Sequence, residues 1–458
     1  MERKKIAIIG AGISGLTTAW LLRKNGFEVS VFERNDYPGG SIVTEKEGDW
    51  LIDLGPNSTL ETSQELRQMV DDLGLQQEKV YANPLSDNRF IVRDGKLHVL
   101  PLKPGAFLKT SLFSWKAKLR LLKEPFIAPS KGDDISLADF VRYRLGDEFL
   151  DYAINPFVAG VYAGDPEQLS TAAGFAKLYD LEQKYGGLIK GMIKGAKERK
   201  QRNEVAKDRA KMFSFVDGMR VLPAALAETL PEGTLHLQTT VQTVKRDDGG
   251  FVLYLQQEGR KKEERFDAVV VSVPAYVQSE LLKDLLGAET ASLDEVAYPP
   301  VAVVFLGFKR EDVRHPLDGF GFLVPQAEKR QILGTIFSST LFPARAPEGH
   351  VALTTFVGGM RQPENALLPE DKLLQRVLND LRDLLGVQGK PAFVRIRQWP
   401  KAIPQYRVGY KAVQQLFYDW EARFPGLHFA GNFRRGISLG DSVLSAHETV
   451  ERLMKDKR

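Results

Sequence analysis

The sequence predicts an α/β fold on three observations. A short apolar strand runs into a glycine-patterned turn, a helix and second strand follow directly, and a similar strand–glycine–helix passage recurs near the end of the chain. Lys4-Lys5-Ile6-Ala7-Ile8-Ile9 is the first strand, and Gly10-Ala11-Gly12-Ile13-Ser14-Gly15 is the turn. Gly10 permits the tight reversal, Gly12 lets the backbone approach a pyrophosphate, and Gly15 lets helix and strand pack closely. An apolar helix follows through Leu16, Ala19, Trp20, Leu21 and Leu22 and stops at Asn25-Gly26. Its N-terminus, around Ala11, Ile13 and Ser14, offers unpaired N–H groups and a positive dipole end to phosphate. The second strand, Glu28 to Phe32, ends at Glu33-Arg34, where the glutamate can accept hydrogen bonds from ribose hydroxyls. This order of parts reads as a Rossmann-like dinucleotide-binding domain. Arg3-Lys4-Lys5 before an apolar run also imitates a secretory leader, but glycines break that run and a patterned strand comes next.

At 458 residues and 43% hydrophobic, the chain can bury a large core in two or three lobes. A net charge of +4 is too small to imply a nucleic-acid partner. The absence of cysteine excludes disulfides, thiolate metal sites and a cysteinyl-linked flavin, and it suits a reducing, cytoplasmic compartment. The six histidines are scattered without ligand spacing, so no metal site is expected. No apolar stretch reaches the roughly 18 residues that span a bilayer. Ala268 to Val273 and Val301 to Phe308 read as buried strands.

The segment after Glu33 discriminates between dinucleotides. Pro38-Gly39-Gly40-Ser41 lets the chain fold back over phosphates and a ribityl chain, and Gly55-Pro56-Asn57-Ser58 begins a second close backbone approach. Simple NAD dehydrogenases do not need this extension. Near the end, Leu427 to Ala430 is a strand, followed by Gly431-Asn432, by Gly436-Ile437-Ser438-Leu439-Gly440-Asp441, and by a closing helix from Val443 to Leu453. In these residues the chain resembles the flavin amine oxidase and protoporphyrinogen oxidase superfamily, which implies FAD, bound without a covalent link. The resemblance puts Gly431 close to the pyrophosphate and the backbone of Ile437, Ser438 and Leu439 at the pyrimidine end of the flavin. It puts Val241 at the adenine and Trp399 beside the flavin ring. Where the superfamily often has a basic residue after the double glycine, this chain has Ser41.

The middle of the chain narrows the resemblance. Asn155-Pro156-Phe157-Val158-Ala159-Gly160-Val161-Tyr162-Ala163-Gly164-Asp165-Pro166 is similar to a stretch of the bacterial and plant type of protoporphyrinogen oxidase. So are Phe215 to Met219, Gly319 to Pro325, Leu333 to Ser339 and Thr355 to Gly359. The resemblance implies oxidation of a porphyrinogen, with oxygen as acceptor and hydrogen peroxide released, as a late step of haem synthesis. It sets Arg89 opposite a substrate propionate, a role a bidentate, permanently charged guanidinium suits. It sets Leu323, Ile336 and Phe356 around the tetrapyrrole and Gly160 where the backbone passes close to it. Read without the resemblance, Arg89 is an exposed residue on an edge strand, the next three are core, and Gly160 is a turn glycine. No catalytic acid or base is expected, because the cofactor carries the chemistry. Coproporphyrinogen III is the alternative substrate; a flavin amine oxidase and a flavin-free binding protein on the same scaffold are weaker alternatives.

The parts predicted are an FAD-binding domain in three segments (1–85, 212–295 and 396–458), a substrate-binding mixed-sheet domain in two (86–105 and 296–395), and a helical insertion (106–211). Within the insertion, Lys190, Lys194, Lys197, Arg199, Lys200, Arg202, Lys207, Arg209 and Lys211 outnumber the acids, and Leu188, Ile189, Met192 and Ile193 lie nearby at helical spacing. This reads either as a solvated charged helix or as a basic amphipathic surface resting on anionic lipid, peripheral on the inner face of the cell membrane. A homodimer is implied by the resemblance alone.

Overall fold

Two strand runs that are apolar without alternation, Ile6 to Ile9 and Ala268 to Val271, become the centre of a parallel sheet covered on both faces, as such runs require. The computed structural model describes residues 4–455 except 102, 131, 133 and 202–209, with side chains undescribed at 104 and 196–201. The parallel sheet has the order Leu235–His236, Glu28–Phe32, Lys5–Ile9, Ala268–Val271, Leu427–Phe429. Ile6, Ala7, Ile8 and Val269 to Val271 are all fully buried. One face packs on the helix Ile13–Lys24 and the closing helix, the other on Phe417, Trp420 and the neighbouring antiparallel sheet of Thr239–Asp247, Gly250–Gln257 and Arg260–Phe266. The closing helix spans Leu439–Lys455, four residues longer at its start than the sequence predicts. Ser438 explains the difference: its Oγ accepts the Asp441 N–H at 3.1 Å and caps the first turn.

A second, seven-stranded sheet has the order Phe393–Trp399, Val301–Lys309, His350–Gly358, Gly334–Ile336, Gly321–Leu323, Arg89–Arg93, Lys96–Val99. The strand that begins at Arg89 lies one in from the edge, which corrects the edge-strand reading. On one face Phe90, Phe322 and Val304 pack on the helix Glu370–Leu385 through Leu373, Val377 and Leu381. The other face looks toward the parallel sheet and the helical region.

A buried ion pair joins these layers. Arg345, from the second sheet's connections, donates from Nε to Asp53 Oδ2 at 3.0 Å and from Nη2 to Ser214 Oγ at 2.8 Å. Asp53 also accepts the Thr44 hydroxyl at 2.6 Å and the Met219 N–H at 3.1 Å. Burial pushes the Asp53 carboxyl above the usual range, opposed by the guanidinium and these donors.

Between the sheets' segments, the helices Trp115–Lys123, Leu137–Arg144, Asn155–Tyr162, Ala176–Tyr185 and Leu188–Gln201 build a separate lobe around Phe113, Phe140, Phe149 and Val158. At its centre the fully buried Arg144 pairs with Glu182 at 2.6 Å and Glu124 at 3.0 Å. Glu124 in turn accepts the N–H groups of Leu188 at 2.7 Å and Ile189 at 3.0 Å. That contact divides the expected amphipathic surface: Leu188 is buried and Ile189 half-buried, while Met192 and Ile193 are exposed beside Lys190 and Lys194. Arg202, Lys207 and Arg209, and the side chains of Lys197, Arg199 and Lys200, lie outside the described residues. A different stripe is exposed on the helix Trp115–Lys123 and the turn after it: Trp115, Leu119, Leu122 and Phe126, flanked by Lys116 and Lys123. No helix of the described residues is long and apolar enough to cross a membrane.

Candidate cofactor and substrate site

In an open parallel sheet, ligands collect beyond the carboxyl ends of the strands, where the strand order reverses. Here that point lies between Lys5–Ile9 and Ala268–Val271. Gly10 leaves the first strand at φ +100° with its N–H on the Phe32 carbonyl, a conformation that favours glycine. Gly12 precedes the helix Ile13–Lys24, whose N-terminus has neither a side-chain cap nor an acidic first turn. A Cβ at Gly12 would meet nothing within 4 Å, so the chain leaves free space in front of an uncapped, positive helix end. A pyrophosphate fits that cradle. Ala11 donates to Glu33 Oε2 at 2.9 Å and Asn35 to Glu33 Oε1 at 3.0 Å, which fixes the buried carboxylate at the end of its strand while leaving lone pairs for a ribose. Arg34 is exposed, and its charge acts on the Tyr276 phenol. Ser14 turns to the closing helix, with Oγ on the Ser442 carbonyl at 3.1 Å.

The double glycine folds back as expected: Gly39 bridges Gly12 and donates to the Ala11 carbonyl at 2.8 Å, and Gly40 lies over the Gly12 Cα. Ser41 is exposed. Gly55 has a reason other than the one expected. A Cβ there would sit 1.9 Å from the Ser41 carbonyl oxygen, so the close approach is to the chain's own backbone. Pro56, Asn57 and Ser58 follow, half-buried, and Asn57 lines a small internal cavity with Ile336 and Thr354. Trp399 donates to the Leu54 carbonyl at 2.9 Å, which ties the end of the seven-stranded sheet to this loop. Val241 stands at a β-bulge next to the Glu33 to Asn35 segment, whose carbonyls accept from Thr239 and Gln238.

From the far end of the chain, Ala430 joins the Val271 carbonyl and Gly431 donates to Ser445 Oγ at 3.1 Å. Ile437, Ser438 and Leu439 then lead into the closing helix, and Asp441 in its first turn acts electrostatically on Tyr162. Burial, with that carboxylate, pushes the Tyr162 phenol up to about 12.

The residues expected to hold the macrocycle converge by sheet register. Arg89, Gly321, Ile336 and Thr354 lie in one row across four strands; Ile91, Leu323, Gly334 and Phe356 lie two residues further along, and so share the same face. On these strands Leu323, Ile336 and Phe356 are half-exposed, and apart from His350 at the start of its strand the other positions are buried. The Arg89 guanidinium stands over the Phe320 ring at 5.8 Å and pairs with no carboxylate among the described residues. Gly160 faces this wall: a Cβ there would lie 2.2 Å from Leu323 Cδ2. The result is one sheet face with aliphatic and aromatic side chains, a cation at one end and Gly160 packed on Leu323.

Several residues of the site escape sequence reasoning. Ser445, Tyr406, Asn155 and Arg361 act through tertiary partners, and only the Ser438-x-x-Asp441 cap had a local signature.

Over residues 13–454 the chain matches the family model described as flavin containing amine oxidoreductase. It is 34% identical to protoporphyrinogen oxidase 2, chloroplastic/mitochondrial, of Arabidopsis thaliana, covering 98% of this chain and 93% of that protein. It is 28% identical to the coproporphyrinogen III oxidase of Bacillus subtilis (strain 168), covering 96% of each. A crystal structure from Exiguobacterium sp. 255-15, provisionally assigned as a protoporphyrinogen oxidase, superposes with a TM-score of 0.83 at 26% identity and full coverage of both chains. Reduced UDP-galactopyranose mutase shares the fold, with a TM-score of 0.76 at 17% identity, covering 99% and 94% of the two chains.

Proposed function

The chain belongs to the flavin containing amine oxidoreductase family, is an oxidoreductase and uses FAD, and from that premise we propose that it oxidises protoporphyrinogen IX to protoporphyrin IX. The observation that carries the reading is the single sheet face on which Arg89, Leu323, Ile336 and Phe356 meet, with Gly160 packed on Leu323. An apolar wall with one cation at its end suits a large apolar ring bearing carboxylates at its edge. The names of the plant relatives, at 34–35% identity, favour this substrate over coproporphyrinogen III, the substrate named for relatives at 27–28%.

When bound, FAD supplies a two-electron acceptor for a hydride from a saturated bridge carbon. The chain's own residues would hold the ring. Gly12 and the uncapped helix behind it would carry the pyrophosphate charge, and Arg89 would orient the substrate through a carboxylate. Three rounds of oxidation give the aromatic porphyrin, each consuming oxygen and releasing hydrogen peroxide. Aerobic turnover of protoporphyrinogen IX and coproporphyrinogen III, followed separately by porphyrin fluorescence, tests the assignment. A higher kcat/KM for the first is expected; preference for the four-propionate substrate would transfer the reading to coproporphyrinogen. Arg89→Ala should lower kcat/KM by about 10- to 100-fold, mainly through KM, the loss of one charge-assisted contact. Unchanged kinetics would remove Arg89 from the site.

The reading extends to a peripheral position on the inner, anionic face of a membrane and to a homodimer. The exposed Trp115, Leu119, Leu122 and Phe126, with Lys116 and Lys123 beside them, support membrane contact better than the residues around 190. The purified protein should bind anionic vesicles, less at high salt, and Trp115→Asp/Leu122→Asp should abolish that binding. Equal binding to neutral and anionic vesicles would overturn it.

A further inference from the structure

The helix Asn155–Tyr162, which carries Gly160, is held at both ends by residues from outside its own lobe. At the C-terminal end the Tyr162 carbonyl accepts from Gln405 Nε2 and the Ala163 carbonyl from the Met360 N–H, both at 2.8 Å. At the N-terminal end the buried Asn155 side chain meets the segment that follows Leu323. Its Oδ1 accepts the Gln326 N–H at 2.9 Å and Arg361 Nη2 at 3.0 Å, and its Nδ2 donates to Gln326 Oε1 at 3.3 Å. The same guanidinium sends Nη1 and Nη2 to the Val324 carbonyl at 2.8 and 2.7 Å. One side chain therefore ties the helix of Gly160 to the strand end of Leu323. It reaches Val324, one residue from Leu323, and Asn155, roughly a turn and a half from Gly160.

Stability does not explain an arginine here. No carboxylate pairs with it among the described residues, and its Nε is buried without a partner. Burial brings the guanidinium down to about 10, with only Asp165 acting the other way. A partly buried cation on two neutral acceptors is often no more stable than an apolar residue of similar size. Its planar fork instead gives a fixed geometry between two elements.

We propose that Arg361 is a positioning residue for the substrate: by joining Asn155 to Val324, it fixes Gly160 against Leu323 and so sets where Leu323 stands on the apolar wall. The proposal rests on the porphyrinogen reading, because it is the macrocycle that this wall must fit. The test uses Arg361→Met, Arg361→Lys, Asn155→Leu and the Arg361→Met/Asn155→Leu double variant. Each is measured for FAD content by absorbance, thermal midpoint, protoporphyrin IX affinity by quenching of protein fluorescence, and steady-state kinetics. Arg361→Met should keep its flavin and its thermal midpoint. Its porphyrin Kd and its KM should rise about tenfold while kcat changes less than about threefold. Arg361→Lys should recover part of the affinity, and the double variant should be no worse than the poorer single. A wild-type protein that neither binds the porphyrin nor oxidises a porphyrinogen would overturn the functional reading, and the proposal with it. An active wild type with unchanged Kd and KM in Arg361→Met would overturn the proposal alone, as would additive losses in the double variant.

Discussion

Arg345→Met should destabilise the protein by about 3–5 kcal/mol, because it leaves a buried carboxylate without its partner. Arg345 and Asp53 are each only 4% exposed at the side chain and lie 3.0 Å apart. The pair is 292 residues apart in the chain and joins the strand leading to Gly55 with the connections of the second sheet. In the native protein, burial already raises the Asp53 carboxyl and the guanidinium opposes that rise. Removing the guanidinium should carry it further up. The folded state then holds a proton that the unfolded chain releases near the ordinary value of about 3.9. Stability contributed by that proton is complete below the unfolded value and is lost as pH rises through the folded one. The variant's deficit should therefore be smaller at pH 5 than at pH 8. Urea unfolding followed by flavin release at both pH values measures it. Arg345→Met/Asp53→Asn should cost less than the single change, since no charge is left behind. A single variant within about 1 kcal/mol of the wild type at pH 8 would show that the pair does not hold the layers together.

Legibility in the sequence followed the range of the interactions. The turn at Gly10 to Gly15 was readable because strand, glycines, helix and Glu33 lie within one local unit, and the structure places them so. Arg89, Leu323, Ile336 and Phe356 were readable only through resemblance. Their common face depends on a register that pairs Arg89 with Gly321, distant in the chain, and Gly321 with Ile336 and Leu323 with Gly334. Asp53–Arg345 and Asn155–Arg361 left no local signal at all. The amphipathic surface expected near 190 is altered at its start, for a different reason. The lysine-rich run near 190 has the composition of such a surface, but Glu124 captures its first turn and turns Leu188 inward. The stripe from Trp115 to Phe126 has the steps of four, three and four residues that keep one helical face, and it was there to be read.

Gly12→Leu should leave the protein folded and cut FAD affinity at least about a hundredfold, about 2.7 kcal/mol. The two glycines of the turn separate folding from binding. Gly10 has φ +100°, and a Cβ there would lie 2.8 Å from the Ser272 carbonyl oxygen, so a side chain at Gly10 strains the backbone and breaks the strand junction. Gly12 has φ −69° and ψ 175°, a conformation open to any residue, and its Cβ would point into free space. What the leucine would displace is the pyrophosphate in front of the helix N-terminus, along with the approach of backbone N–H groups to it. Purified Gly12→Leu should therefore be colourless, with a circular dichroism spectrum like that of flavin-stripped wild type, and added FAD should fail to restore the flavin absorbance. Gly10→Leu should instead yield little soluble protein. A yellow Gly12→Leu with wild-type FAD content would mean that the pyrophosphate does not lie on this turn, and the cofactor geometry built from Gly10 to Gly15 would have to be redrawn.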